Sequence, residues 1–156
     1  MVLWRISNHS DLTGLGGEKA DGRWHTGARG KRIVYLSEHP AVALVEALAA
    51  LKGNPDFFPT KYQLLKIRVA DGIIAARLAV VLGDDWRVNP TDTRAAGDDW
   101  LRRLGSALLV VPSAPSPESL NYLFNPLHRD ASRVTIEWSK SLEYDRRLFK
   151  ARDSAA

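Results

Sequence analysis

Apolar and polar positions alternate in short runs along most of the chain and settle into a helical period in only two places. Val2 to Ser7 is a brief β-prone stretch. It is followed by a Gly-rich polar segment, Thr13-Gly14-Leu15-Gly16-Gly17, and by Asp21-Gly22-Arg23-Trp24, both of which read as loop. Arg32 to Ser37 predicts a second strand, with Ile33 and Tyr35 on one face and Val34 and Leu36 on the other. Ser37-Glu38-His39-Pro40 then reads as a helix start, because a serine accepts orphan N–H bonds and a proline is tolerated in the first turn. The helix is expected to run to about Lys52 and to stop at Gly53-Asn54-Pro55.

Tyr62 to Val69 predicts another strand and Ile73 to Val80 a further one, with Asp71-Gly72 as a hairpin turn between them. Thr93 to Leu104 carries Ala95, Ala96, Trp100, Leu101 and Leu104 at near-helical spacing, with Gly105 as the expected C-cap. Ala107 to Val111 is a continuous apolar run that reads as a buried strand, delivering Ser113 to a loop rich in Pro and Ser. Arg133 to Trp138 alternates and closes the sheet. Strands and helices do not alternate regularly, which favours an α+β fold with two helices on a mixed sheet over a doubly wound parallel one. The expected organisation is one domain, residues 1–140, and a charged C-terminal tail, residues 141–156, that folds back or frays.

Composition narrows this picture. A chain of 156 residues with 45% apolar and 26% charged positions suits one globular domain. The absence of cysteine removes disulfides, thiolate metal sites and a cysteine nucleophile, and fits a reducing setting. Met1-Val2-Leu3-Trp4-Arg5 shows no basic stretch followed by a sustained apolar run, so no export signal is expected there, and no segment reaches the roughly 18 apolar residues of a membrane span. A cytoplasmic protein without membrane partners is expected. The net charge of +4 favours an acidic partner such as a nucleotide, but no block of like charge concentrates it.

Glu46 is the strongest local anomaly, since Ala41 to Leu51 holds no other polar residue. Leu44, Val45, Leu48 and Leu51 form an apolar stripe, and Glu46 lies opposite among Val42, Ala43, Ala49 and Ala50. A carboxylate on such a helix needs a cation, hydrogen-bond donors or a ligand, so a buried Glu–Arg pair and a functional group are both open readings. Arg23 is a candidate partner. Its planar fork also suits a diphosphate, and a loop arginine stacked on Trp24 is the alternative. Tyr35 either stacks on a ring or fills the core. Ser113 lacks the Gly-x-Ser-x-Gly turn of a hydrolase nucleophile, and such serines mostly satisfy backbone groups. Asn121-Tyr122-Leu123-Phe124-Asn125-Pro126-Leu127-His128 reads either as a loop lining a pocket or as an Asn-rich turn between the last two strands. His9, His25, His39 and His128 show no zinc-ligand spacing, so no metal is expected. Neither a dinucleotide fingerprint nor a phosphate loop is complete.

Trp4-Arg5-Ile6, Gly22-Arg23-Trp24, Val34-Tyr35-Leu36-Ser37, the helix with Glu46, Val111-Pro112-Ser113 and Asn121 to His128 together resemble the RES-domain family, over roughly residues 2 to 138. This is the toxin half of Xre–RES toxin–antitoxin pairs, similar in fold to ADP-ribosyltransferases. The resemblance implies NAD as substrate rather than cofactor, no metal, and an Xre-family antitoxin as partner. It implies Arg23 on the diphosphate, Tyr35 against nicotinamide or ribose, and Ser113 and Asn121 as further NAD contacts, with Glu46, Arg23 and Tyr35 as the catalytic set. The activity it implies is cleavage of the nicotinamide–ribose bond, by a glycohydrolase or phosphorylase, or transfer of ADP-ribose to a protein. His25 stands where the family often has asparagine. The rival expectation from another class, a nucleic-acid-binding module, rests on the basic charge and five tryptophans.

Overall fold

A computed structural model describes residues 1–52, 54, 56 and 61–149. Its centre is a seven-stranded mixed sheet in the order β4-β5-β6-β2-β1-β3-β7. The strands are β1 (Val2–Ser7), β2 (Val34–Ser37), β3 (Gln63–Val69), β4 (Ala76–Arg77), β5 (Leu108–Pro112), β6 (Leu120–Phe124) and β7 (Val134–Ser141). All neighbours pair antiparallel except β4 and β5, which run parallel. Helices α1 (Gly16–Lys19), α2 (Pro40–Ala50) and α3 (Thr91–Arg103) complete the α+β fold.

Period-two alternation divides the sheet between two cores. Leu3, Val34, Leu36, Leu65, Ile67, Leu108, Phe124 and Val134 fill one side. Leu109, Val111 and Leu123 pack on the other side with Trp24, Trp86, Trp100 and Leu101. Each such aliphatic side chain removed from water contributes about 1.5–3 kcal/mol before ordering entropy is counted. Directly opposed residues share a face, so the register Tyr35↔Leu123↔Leu109 and Ser37↔Asn121↔Val111 puts Tyr35, Ser37 and Asn121 on the tryptophan side.

Several local expectations are corrected. The residue capping α2 is His39, whose Nδ1 accepts from Ala41 N–H at 3.1 Å; Ser37 ends β2 instead. The helix ends at Ala50, and Lys52 turns away with φ of 53°; Gly53 and Pro55 lie outside the described residues. The face of α2 that is fully buried carries Val42 and Ala43, which flank Glu46, while Leu44, Val45, Leu48 and Leu51 are only half buried.

Asp71-Gly72 makes no hairpin, because β3 already has β1 and β7 on its two edges. The chain crosses the sheet instead, and only Ala76–Arg77 of the Ile73 to Val80 run pairs, with β5. Leu104 rather than Gly105 takes the left-handed conformation after α3, with φ of 52°. Asn121 to His128 is neither loop nor turn throughout: its first part is β6, an interior strand between β5 and β2. The closing strand runs on to Ser141, and a short 3-10 turn, Arg146–Leu148, follows.

Candidate active site

The centre of the site is a carboxylate held by neutral donors. Ser113 Oγ donates to Glu46 Oε1 at 2.7 Å, and Asn121 Nδ2 donates to the same oxygen at 2.5 Å. Among the described residues, Oε2 accepts no hydrogen bond and Glu46 forms no ion pair. The sequence elements explain the meeting: α2 folds back from β2, Asn121 lies opposite Ser37 at the start of β6, and Ser113 follows Val111, which is opposite Asn121. Ser113 is 1% exposed, and its oxygen also accepts from Ser116 N–H at 3.2 Å, which closes the Pro- and Ser-rich loop around it.

The Glu46–Arg23 pair left open by the sequence does not form. Arg23 is half buried, its Nη1 donates to the Trp86 carbonyl at 3.2 Å, and among the described residues it has no acidic partner. A guanidinium has five N–H donors in a rigid fork, so most of its capacity is unspent.

The loop bearing Arg23 is clamped from α3 and from β2. Thr93 Oγ1 donates to the Arg23 carbonyl at 2.6 Å, and Arg94 Nε donates to the Gly22 carbonyl at 2.8 Å. Gly97 meets the same loop so closely that a Cβ there would stand 1.6 Å from the Trp24 carbonyl oxygen. Tyr35 approaches from the sheet; a Cβ on Gly22 would stand 2.2 Å from its hydroxyl.

The Tyr35 hydroxyl is used within the protein. It accepts from Trp24 N–H at 3.1 Å and lies 2.7 Å from His25 Nδ1. His25 Nε2 is 3.0 Å from the Gly17 carbonyl, which can only accept. That assigns the imidazole proton to Nε2, leaves Nδ1 as an acceptor, and makes the Tyr35 hydroxyl the donor to it. Burial drives the Tyr35 phenol well above its ordinary value, outweighing the pull of Arg94 and Arg23. Burial likewise holds His25 below the usual imidazole range, so it stays neutral. The Tyr35 ring is partly buried against the tryptophan-side core, with the His25 ring centroid 5.7 Å away.

The sequence reading missed His25, Ser37, Thr93, Arg94 and Trp86 as supports of the site. One signal was present: Gly97 in a helix interior costs about 1 kcal/mol relative to alanine, and such a glycine marks a close approach. A separate cavity of about 620 Å³ opens between the Ala28–Arg32 loop and α3. None of Arg23, Tyr35, Glu46 or Ser113 lines it, and its charges are largely paired, Lys31 with Asp98 and Arg102 with Asp99.

A profile described as the RES domain matches residues 2–147. The chain belongs to the RES-domain family. A RES-domain relative named "Toxin Res" in Pseudomonas putida is 40% identical over 149 residues, 96% of this chain and 100% of its own length. Another, named "Prs ADP-ribosylating toxin" in Sphingobium sp., is 30% identical over 95% of this chain and 96% of its own. The toxin in the M. tuberculosis MbcT–MbcA toxin–antitoxin complex shares the fold, with a TM-score of 0.72 and 18% identity over 90% of this chain and 83% of that one. Among the described residues, no helix is long and apolar enough to cross a membrane.

Proposed function

We propose that this RES-domain chain is the toxin of a toxin–antitoxin pair and that it cleaves the nicotinamide–ribose bond of NAD. The observation that carries this reading is the Glu46 carboxylate, fixed through Oε1 by two neutral donors, with Oε2 unengaged among the described residues. As the C–N bond breaks, its electron pair leaves with nicotinamide and positive charge develops on the ribose. A fixed carboxylate nearby stabilises that oxocarbenium-like state without reorganising.

Arg23 binds the diphosphate with its unspent donors, and the Tyr35 ring packs against nicotinamide or ribose. Ser113 and Asn121 hold Glu46 in place, and any NAD contact they make uses their remaining capacity. No metal takes part in this scheme. The acceptor at the ribose carbon is water or phosphate in the degrading reaction. A protein side chain as acceptor is the second reading, favoured by the printed name of the Sphingobium relative.

An antitoxin is the proposed partner, supported by the names of the relatives and by the toxin–antitoxin complex that shares the fold; its assignment to the Xre family rests on the family resemblance alone. The nucleic-acid alternative loses its main support. Trp24, Trp86 and Trp100 are buried, Trp4 packs edge-on against Trp138, and Lys140 lies over the Trp138 ring. Few indole faces are left for bases.

Incubating the purified protein with NAD and separating the products by chromatography tests the proposal. Nicotinamide together with ADP-ribose or its phosphate supports degradation. Nicotinamide with ADP-ribose found by mass spectrometry on a protein supports the second reading. Unchanged NAD with the purified protein contradicts degradation, and the absence of any ADP-ribosylated protein when a cell extract is added as a source of acceptors contradicts the second reading.

A further inference from the structure

Among the described residues, Asn121 links Glu46 by hydrogen bonds to the strand that precedes its helix, and what orients Asn121 is a residue with no other assigned task. Ser37 Oγ donates to Asn121 Oδ1 at 2.8 Å, and both side chains are buried, at 5% and 7% exposure. The pairing is built by register, since Ser37 and Asn121 are directly opposed across β2 and β6. The junction is latched again one residue on: Glu38 N–H donates to the Leu120 carbonyl at 3.2 Å, and Glu38 Oε1 accepts from Leu120 N–H at 2.7 Å.

A carboxamide has a donor end and an acceptor end of nearly the same shape. Turned one way, Asn121 presents N–H to the Glu46 carboxylate; turned the other way, it presents an oxygen and repels it. A hydroxyl that donates to Oδ1 holds the productive orientation and satisfies a buried acceptor that would otherwise cost about 1–3 kcal/mol.

We propose that Ser37 is a positioning residue for the reaction, acting through Asn121 to fix Glu46 Oε1 and thereby aim Oε2. The proposal rests on the reading of Glu46 as the group that stabilises the ribosyl cation. It does not make Ser37 a substrate contact.

The test combines a magnetic-resonance readout with kinetics. In the wild-type protein the Asn121 side-chain amide protons should give resolved, slowly exchanging signals. Ser37→Ala should broaden them or speed their exchange, and Ser37→Thr, which keeps the hydroxyl, should restore them. In NAD turnover, Ser37→Ala should lower kcat roughly tenfold with little change in KM, Ser37→Thr should recover most of it, and Ser37→Ala should cost nothing further in an Asn121→Ala background.

Unchanged Asn121 signals in a folded Ser37→Ala protein overturn the proposal whatever the substrate. So does a kcat loss that persists in full in the Asn121→Ala background, which would mark a general structural effect. Absence of NAD turnover in the wild type contradicts the functional reading instead, and leaves the amide signals to decide the Ser37–Asn121 linkage.

Discussion

Ser113 Oγ lies 2.7 Å from Glu46 Oε1, and the bond ties the exit of an interior strand to the middle of a helix 67 residues away in sequence. The hydroxyl donates its one hydrogen here, so Ser113→Ala should leave Glu46 held by Asn121 alone. A hydrogen bond to a charged group is worth about 1.5–3 kcal/mol, and the loss should appear in kcat as roughly a tenfold or larger drop. Steady-state NAD kinetics on the folded variant check this, and unchanged kcat would contradict it.

Arg23 carries the opposite expectation, a defect in binding. Its guanidinium spends one donor on the Trp86 carbonyl and faces no carboxylate among the described residues. Arg23→Ala should weaken NAD binding by about tenfold or more, the scale of a lost charge-assisted contact, and Arg23→Lys should recover only part of it. Calorimetric titration with NAD in the Glu46→Gln background, where turnover does not consume the ligand, measures the change. Equal affinity with and without Arg23 would remove it from the site.

Gly97→Ala reverses the usual effect of a helical glycine. In an open helix the exchange stabilises by up to about 1 kcal/mol. Here the new methyl would meet the Trp24 carbonyl at 1.6 Å, which neither backbone can relieve without moving the Arg23 loop. The expected cost is about 1–3 kcal/mol, with a fall of several degrees in Tm and reduced NAD affinity. A rise in Tm would show that the clamp is not as close as described.

His25 predicts a pH dependence of stability. Its imidazole is neutral in the fold because burial lowers its proton affinity below the ordinary value of 6.5, whereas the unfolded chain binds a proton below that value. The unfolded state therefore holds more protons as the medium becomes acidic. The contribution of His25 is present above about pH 6.5 and is lost progressively below it. Thermal melts between pH 7.5 and 5.5 should show Tm falling with pH, and His25→Asn, which keeps a donor and an acceptor but does not titrate, should flatten that slope. An identical slope in the variant would place the proton uptake elsewhere.

Much of this was legible in the sequence where the physics is local. Glu46 stood out because one charge in an apolar helix must be compensated, and β1, β5 and α3 followed from periodicity and length. What the sequence hid was non-local. Asn121 and Asn125 made β6 read as loop, because amide side chains are common in turns; in the sheet, Asn121 is satisfied by Ser37 and Glu46, and Asn125 bonds the Leu101 carbonyl. The Ile73 to Val80 run looked like the second arm of a hairpin, and only knowing that β3 is flanked by β1 and β7 sends it across the sheet. Arg23 and Glu46 were natural partners by charge, yet the fold gives each a different neighbour.

On the proposed reading, cleavage of NAD depends most directly on Glu46. Purified wild-type and Glu46→Gln proteins should be incubated with NAD and nicotinamide release followed, with NAD affinity measured alongside. The amide keeps the shape but removes the charge that the ribosyl cation requires, so release should fall at least about 100-fold while binding changes little. Release by Glu46→Gln at the wild-type rate would contradict the account.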